Sequence, residues 1–171
     1  MKKYLILPAV LILFSCSSQK KTDFTSASIS GTNCPEDGEC TVRLEKNQRL
    51  DIKKDEFGSI YYNLLPSDDK NVIVYEFSRG FDEQLQDSGY REHILIETDI
   101  ANPELSLSNF TLEHANVLFG RFCYCKGATG NFKIKDGTLN VKRVGDGLSV
   151  KMDFRITEVP QVINSVDIIV K

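Results

Sequence analysis

The sequence predicts an all-β domain, an antiparallel β-sandwich or flattened barrel of about 9–11 short strands, and three observations carry that reading. From Cys40 onward apolar residues recur with period two. Clusters of Gly, Pro, Asp and Ser separate the runs. No amphipathic stretch of helical period and 10–15 residues lies between them, so a parallel sheet would have no crossovers.

The first candidate strands are 41–45, 49–53 and 59–64, short alternating runs rich in Val, Leu, Ile and Tyr. Pro66-Ser67-Asp68-Asp69-Lys70 turns the chain into 71–78, and 92–98 and 104–108 follow. The run 116–125 is apolar or aromatic at both parities, as expected of a central strand covered on both faces. Gly127-Ala128-Thr129-Gly130 leads to 131–135. Asp136-Gly137 then reads as a two-residue hairpin turn, so 131–143 is expected to fold back on itself, with 138–143 as its second arm. After Gly145-Asp146-Gly147 comes the clearest strand, 148–156, apolar at every even position and polar at every odd one from Leu148 to Ile156. Residues 166–170 close the series. Only 81–86 and 108–116 have room for a helical turn or two, and no repeat recurs at a fixed period.

With 171 residues the chain suffices for one hydrophobic core without a metal or a partner. Residues 1–15 hold two Lys and no acid; without them 156 residues carry 19 basic and 24 acidic side chains, a formal charge of −5. That balance argues against nucleic acid as a partner.

The N-terminus has a secretory layout: Met1-Lys2-Lys3, an apolar run from Tyr4 to Phe14 interrupted by Pro8, then Ser15-Cys16-Ser17-Ser18. An eleven-residue helix spans about 16 Å, short of the roughly 30 Å hydrocarbon core, which disfavours a transmembrane helix. Residues 17–33 contain eight Ser or Thr and only Phe24, Ala27 and Ile29 as apolar residues, a flexible tether of up to about 55 Å. The expected organisation is thus a signal segment over 1–15, a tether over 16–33 and a β-domain over 34–171.

Leu13-Phe14-Ser15-Cys16 resembles the lipobox of bacterial lipoproteins, with Leu at −3, a small residue at −1 and Cys at +1; Phe14 is bulkier than the usual −2 residue. The resemblance implies cleavage after Ser15, a diacylglyceryl group on the Cys16 thiol and acylation, such as by palmitate, of the new α-amino group. Two or three acyl chains hold a protein firmly, at about 0.8 kcal/mol per buried CH₂. Ser17 in place of Asp after the lipidated residue resembles lipoproteins forwarded to the outer membrane, so the expected location is the cell envelope, lipid-anchored in that membrane.

Four further cysteines, Cys34, Cys40, Cys123 and Cys125, form an even set in a chain expected to reach an oxidising space. If Cys123 and Cys125 both lie in a strand, they point the same way about 6.6 Å apart, too far for a relaxed disulfide. The favoured pairing therefore joins the Cys34/Cys40 segment to the Cys123/Cys125 strand. The alternative bridges Cys34 to Cys40 across Pro35-Glu36-Asp37-Gly38-Glu39 and leaves Cys123 and Cys125 as a dithiol. A four-thiolate zinc site does not fit the C-x5-C and C-x-C spacings, and Asn33, Glu36, Asp37 and Glu39 lack the ligand pattern of a Ca²⁺ loop.

Motifs of catalysis are missing from the sequence: no G-x-S-x-G, H-E-x-x-H, Gly-rich phosphate loop or S-x-x-K occurs. His93 and His114 each follow a glutamate, but neighbours on a strand face opposite ways. Asp68-Asp69 and Asp82-Glu83 read as solvated loop charges. No catalytic residue, cofactor or metal ligand is assigned. Arg121 among Phe119, Phe122 and Tyr124 is a candidate surface for an anionic ligand, set against a core strand whose Arg121 meets a carboxylate at the sheet edge. The sequence thus points to a lipid-anchored envelope protein with a non-enzymatic binding or assembly role and an envelope protein as partner. The alternative is a thiol redox or metal-handling protein centred on Cys123 and Cys125.

Overall fold

The computed structural model describes residues 34–80 and 89–171. The signal segment, the lipobox with Cys16, the tether, and the stretch 81–86 with Asp82-Glu83 lie outside the described residues. Eleven strands run through the described residues in the expected order: β1 Gly38–Glu45, β2 Gln48–Lys54, β3 Ile60–Pro66, β4 Lys70–Arg79, β5 Tyr90–Asp99, β6 Leu105–Ser108, β7 Leu118–Cys123, β8 Gly130–Lys133, β9 Asp136–Val144, β10 Gly147–Arg155 and β11 Ser165–Val170. A 3₁₀ helix, Asn109–Ala115, fills the expected helical turn. Its start is fixed by Ser108, whose amide donates to Thr111 Oγ1 (2.8 Å) while that hydroxyl donates back to the Ser108 carbonyl (2.7 Å).

The strands form two antiparallel sheets, a large one ordered β1-β4-β5-β7-β8-β3-β2 and a small one ordered β11-β10-β9-β6, packed as a sandwich. On β10 the even positions Val150, Met152 and Phe154 are buried against the large sheet while Lys151, Asp153 and Arg155 are exposed, as the alternation requires. Across from them Ile73, Tyr75 and Phe77 of β4, Ile94 and Ile96 of β5 and Phe119 of β7 complete the main core.

Both faces of the large sheet are covered. Asn47, at φ +57°, turns β1 sharply into β2; its amide donates to Asn71 Oδ1 (2.9 Å) and its carbonyl accepts the Ser67 amide (2.9 Å). Asn is among the few residues that tolerate this backbone region. Beyond that corner β2 does not pair with β1 but lies across β4, and Leu50 packs with Val72, Val74, Leu95 and Leu118 in a second core under the β2–β3 hairpin. This second layer explains why β4 and β5 are apolar at both parities.

The expected hairpin at Asp136-Gly137 does not form. β8 belongs to the large sheet and β9 to the small one, and Ile134-Lys135 carries the chain between them. Gly137 (φ +146°) instead sits in β9 opposite Phe154, where a Cβ would lie 2.7 Å from the Phe154 Cα, so the glycine serves close strand approach. The two-residue hairpin is Gly145-Asp146, one turn later, with Val144 opposite Gly147 and Gly145 at φ +60°.

Candidate functional site

The cysteine connectivity differs from the favoured expectation. Cys34 bridges Cys40, and Cys123 bridges Cys125 with Cα atoms 5.1 Å apart, inside the range disulfides use. The expectation placed both Cys123 and Cys125 in one strand. In the structure β7 stops at Cys123 and the backbone bends at Tyr124, which brings Cys125 within bonding range before the chain turns at Lys126 and Gly127 (φ +74°). Among the described residues all four cysteine sulfurs are paired in disulfides.

The two bridges occupy different environments. Cys40 is 9% exposed within the main core, and the Tyr75 hydroxyl donates to its sulfur at 3.0 Å. This bridge fastens the start of the described chain to β1, and Asp37 adds an ion pair to Arg79 of β4 at 2.7 Å. Cys123 and Cys125 are half-buried and line an open hollow of about 450 Å³ together with Tyr124, Lys126, Gly127 and Thr129. Tyr124 is 81% exposed.

The loop carrying Cys125 is held by hydrogen bonds as well as by its disulfide. The Ala128 amide donates to the Cys125 carbonyl (3.1 Å), Thr129 Oγ1 donates to the Arg121 carbonyl (3.0 Å), and the Arg121 guanidinium donates to the Ala128 carbonyl. Arg121 also donates through Nε to the Tyr90 hydroxyl (3.2 Å) and lies over the Tyr90 ring. Tyr90 in turn donates to Glu92. Burial, and next the hydrogen bond to Glu92, raise the Tyr90 pKa above its usual value.

Glu92 is fully buried, and its two carboxyl oxygens accept the amides of Val162 (2.8 Å) and Ile163 (2.7 Å). On the opposite face Glu97 accepts the Leu50 amide (2.7 Å) and the Asn116 side-chain amide (3.0 Å), fixing β2 over the large sheet. Each buried carboxyl thus satisfies backbone that no sheet ladder reaches.

The three residues of the candidate anionic-ligand surface are not brought together. Phe119 is fully buried between Phe132 and Phe154, Arg121 is 8% exposed and committed to Tyr90 and Ala128, and Tyr124 stands out in solvent. Phe122 packs on the other side of the sheet against His93, with the Arg91 guanidinium over its ring. Among the described residues, Arg121 reaches a carboxyl only through the Tyr90 hydroxyl. Glu92 and His93 face opposite sides of β5, as their adjacency requires, and His114 is exposed on the 3₁₀ helix. Among the described residues no three His, Cys, Asp or Glu side chains converge to hold a metal ion.

A second concavity, absent from the sequence reading, is a groove of about 210 Å³ between β2, the 3₁₀ helix and the end of β8. Ile52, Val117 and Ile134 give it an apolar lining, Glu113, Lys133 and Lys135 give it charged walls, and Phe110 borders it with 79% of its surface exposed. The available signal was Phe110 itself, a large aromatic inside the polar stretch Ser108-Asn109-Phe110-Thr111. Among the described residues no helix is long and apolar enough to cross a membrane. No protein-family model, no curated protein and no solved structure matches this chain.

Proposed function

We propose that this protein is a lipid-anchored module of the cell envelope, held in the outer membrane through acylated Cys16, that binds an envelope protein without performing chemistry on it. The observation that carries the binding role is the groove bordered by Phe110. An aromatic ring left 79% exposed next to an apolar floor is where a partner's apolar side chain gains most by leaving water. Glu113 on one wall and Lys133 and Lys135 on the other supply charges that orient an approaching surface. The tether over 17–33, extending up to about 55 Å, lets the domain meet partners at a distance from the lipid surface.

A photo-crosslinking residue in place of Phe110, tested in intact envelopes, checks the binding role. One discrete crosslinked protein species is expected, lost when Ile134→Asp is added to the groove floor; no discrete species would remove the groove as a binding site. Cys16→Ala checks the anchor: the protein should leave the membrane pellet, and a variant still processed and pelleted would refute the lipobox reading.

A further inference from the structure

The geometry points to the Cys123–Cys125 bridge as a thiol–disulfide exchange site, distinct from the structural bridge Cys34–Cys40 and independent of the groove reading. The hollow it lines would receive a thiol-bearing partner, a cysteine in an extended polypeptide or a low-molecular-weight thiol.

Four features set this bridge apart. Its sequence separation is two, so the ring it closes restrains almost none of the unfolded chain, and stabilisation is a poor reason for its presence. It lies outside the packed core that contains Cys40. Cys125 is beyond the last ladder pair of β7, Tyr90 opposite Cys123, so opening the bridge breaks no strand pairing. The loop that carries Cys125 has bonds from Ala128, Thr129 and Arg121 that do not involve the sulfurs.

The surroundings suit attack by an anion. Lys126 is the charged side chain among the described residues lining the hollow, and a cation there favours both the incoming thiolate and the cysteine thiolate that leaves. Tyr124, standing out beside the sulfurs, offers a flat apolar face to a peptide lying across them.

The exchange balances. A partner thiolate attacks one sulfur of the pair, the S–S bond breaks, a mixed disulfide forms and the other cysteine leaves as thiolate. A second thiolate from the partner then attacks the mixed disulfide. The partner's two thiols become a disulfide, and the two electrons and two protons they give up end on Cys123 and Cys125 as thiols.

The test uses the full chain, extracted in detergent without reductant and equilibrated with glutathione buffers of increasing reducing strength. Free thiols are then alkylated and mapped by peptide mass. Cys123 and Cys125 should become alkylated at a reducing strength at least about tenfold below that needed for Cys34 and Cys40, and the selectively reduced protein should keep its melting temperature. A Lys126→Glu variant should undergo reduction several-fold more slowly. A parallel arm replaces glutathione by an unfolded peptide carrying two reduced cysteines. Reduction by both reagents assigns polypeptide thiols as partners, and reduction by glutathione alone assigns a small thiol. Two bridges opening together, a resistant Cys123–Cys125 bridge, or a melting temperature that falls when it opens would each overturn the proposal.

Discussion

The imidazole of His93 lies directly across Gly120, its cross-strand partner between β5 and β7, filling the space a side chain would occupy there. The ring is 3% exposed, stands edge-on to Tyr62 and Phe122, and has Nε2 3.1 Å from Asn131 Oδ1. A Cβ on residue 120 would come within 2.5 Å of His93 Cδ2. Gly120→Ala is therefore expected to destabilise the fold by about 1–3 kcal/mol, read by urea denaturation. Added to His93→Ala, the same substitution should cost less than it does alone; additive costs would show that the two residues do not share this space.

Burial lowers the His93 pKa from 6.5 to about 4, against the opposing hydrogen bond that His93 Nε2–H donates to Asn131 Oδ1. The unfolded chain therefore takes up the proton first. Stability is unaffected by His93 above pH 6.5, is lost as pH falls from 6.5 towards 4, and stops changing below that on this account. The full loss is roughly 3 kcal/mol at 1.36 kcal/mol per pH unit. The comparison to make is stability against pH for the parent and for His93→Gln. The two curves should converge through this window, and parallel curves would mean that His93 does not titrate as described.

Glu92 joins β5 to a segment some 70 residues later in the chain through two amides. Glu92→Ala removes both acceptors and the partner of the Tyr90 hydroxyl. We expect a cost of about 3 kcal/mol or more, because hydrogen bonds to charged groups are worth about 1.5–3 kcal/mol each. Hydrogen exchange gives the local readout: protection at Val162 and Ile163 should fall more than protection in β9. Equal loss everywhere would indicate a general effect rather than a clamp.

The bridge Cys34–Cys40 closes a short loop against the core, and replacing both residues by Ala should lower stability by about 2 kcal/mol. The loss of the Tyr75 hydroxyl's partner adds to this. A thermal or denaturant transition unchanged by the double substitution would remove the structural role given to this bridge.

Strand identity was legible because period two survives wherever one face meets the main core, as in Val150, Met152 and Phe154. Connectivity between sheets was not. Asp136-Gly137 has the composition of a turn, yet the positive φ at Gly137 serves close packing against Phe154, and local residue type does not distinguish the two uses. The corner at Asn47 was equally hidden, since Lys46-Asn47 between two strands reads the same whether the strands pair or part. Cysteine pairing failed on two residues of strand length, β7 ending at Cys123 rather than Cys125. The groove was invisible because Ile52, Phe110 and Ile134 come from three elements whose meeting only the tertiary fold decides.

The sandwich is divided along the chain: the large sheet is built from residues 38–133, whereas the small sheet uses 105–170. A polypeptide that emerges N-terminus first can assemble β1 to β5 before the strands that will cover them exist. Until β9 to β11 arrive, Ile73, Tyr75, Phe77, Ile94 and Ile96 form a bare apolar wall. Glu92 meanwhile waits for amides that follow β10. Newly made chains are thus expected to be most prone to stick to one another late in synthesis, before β9 to β11 cover that wall.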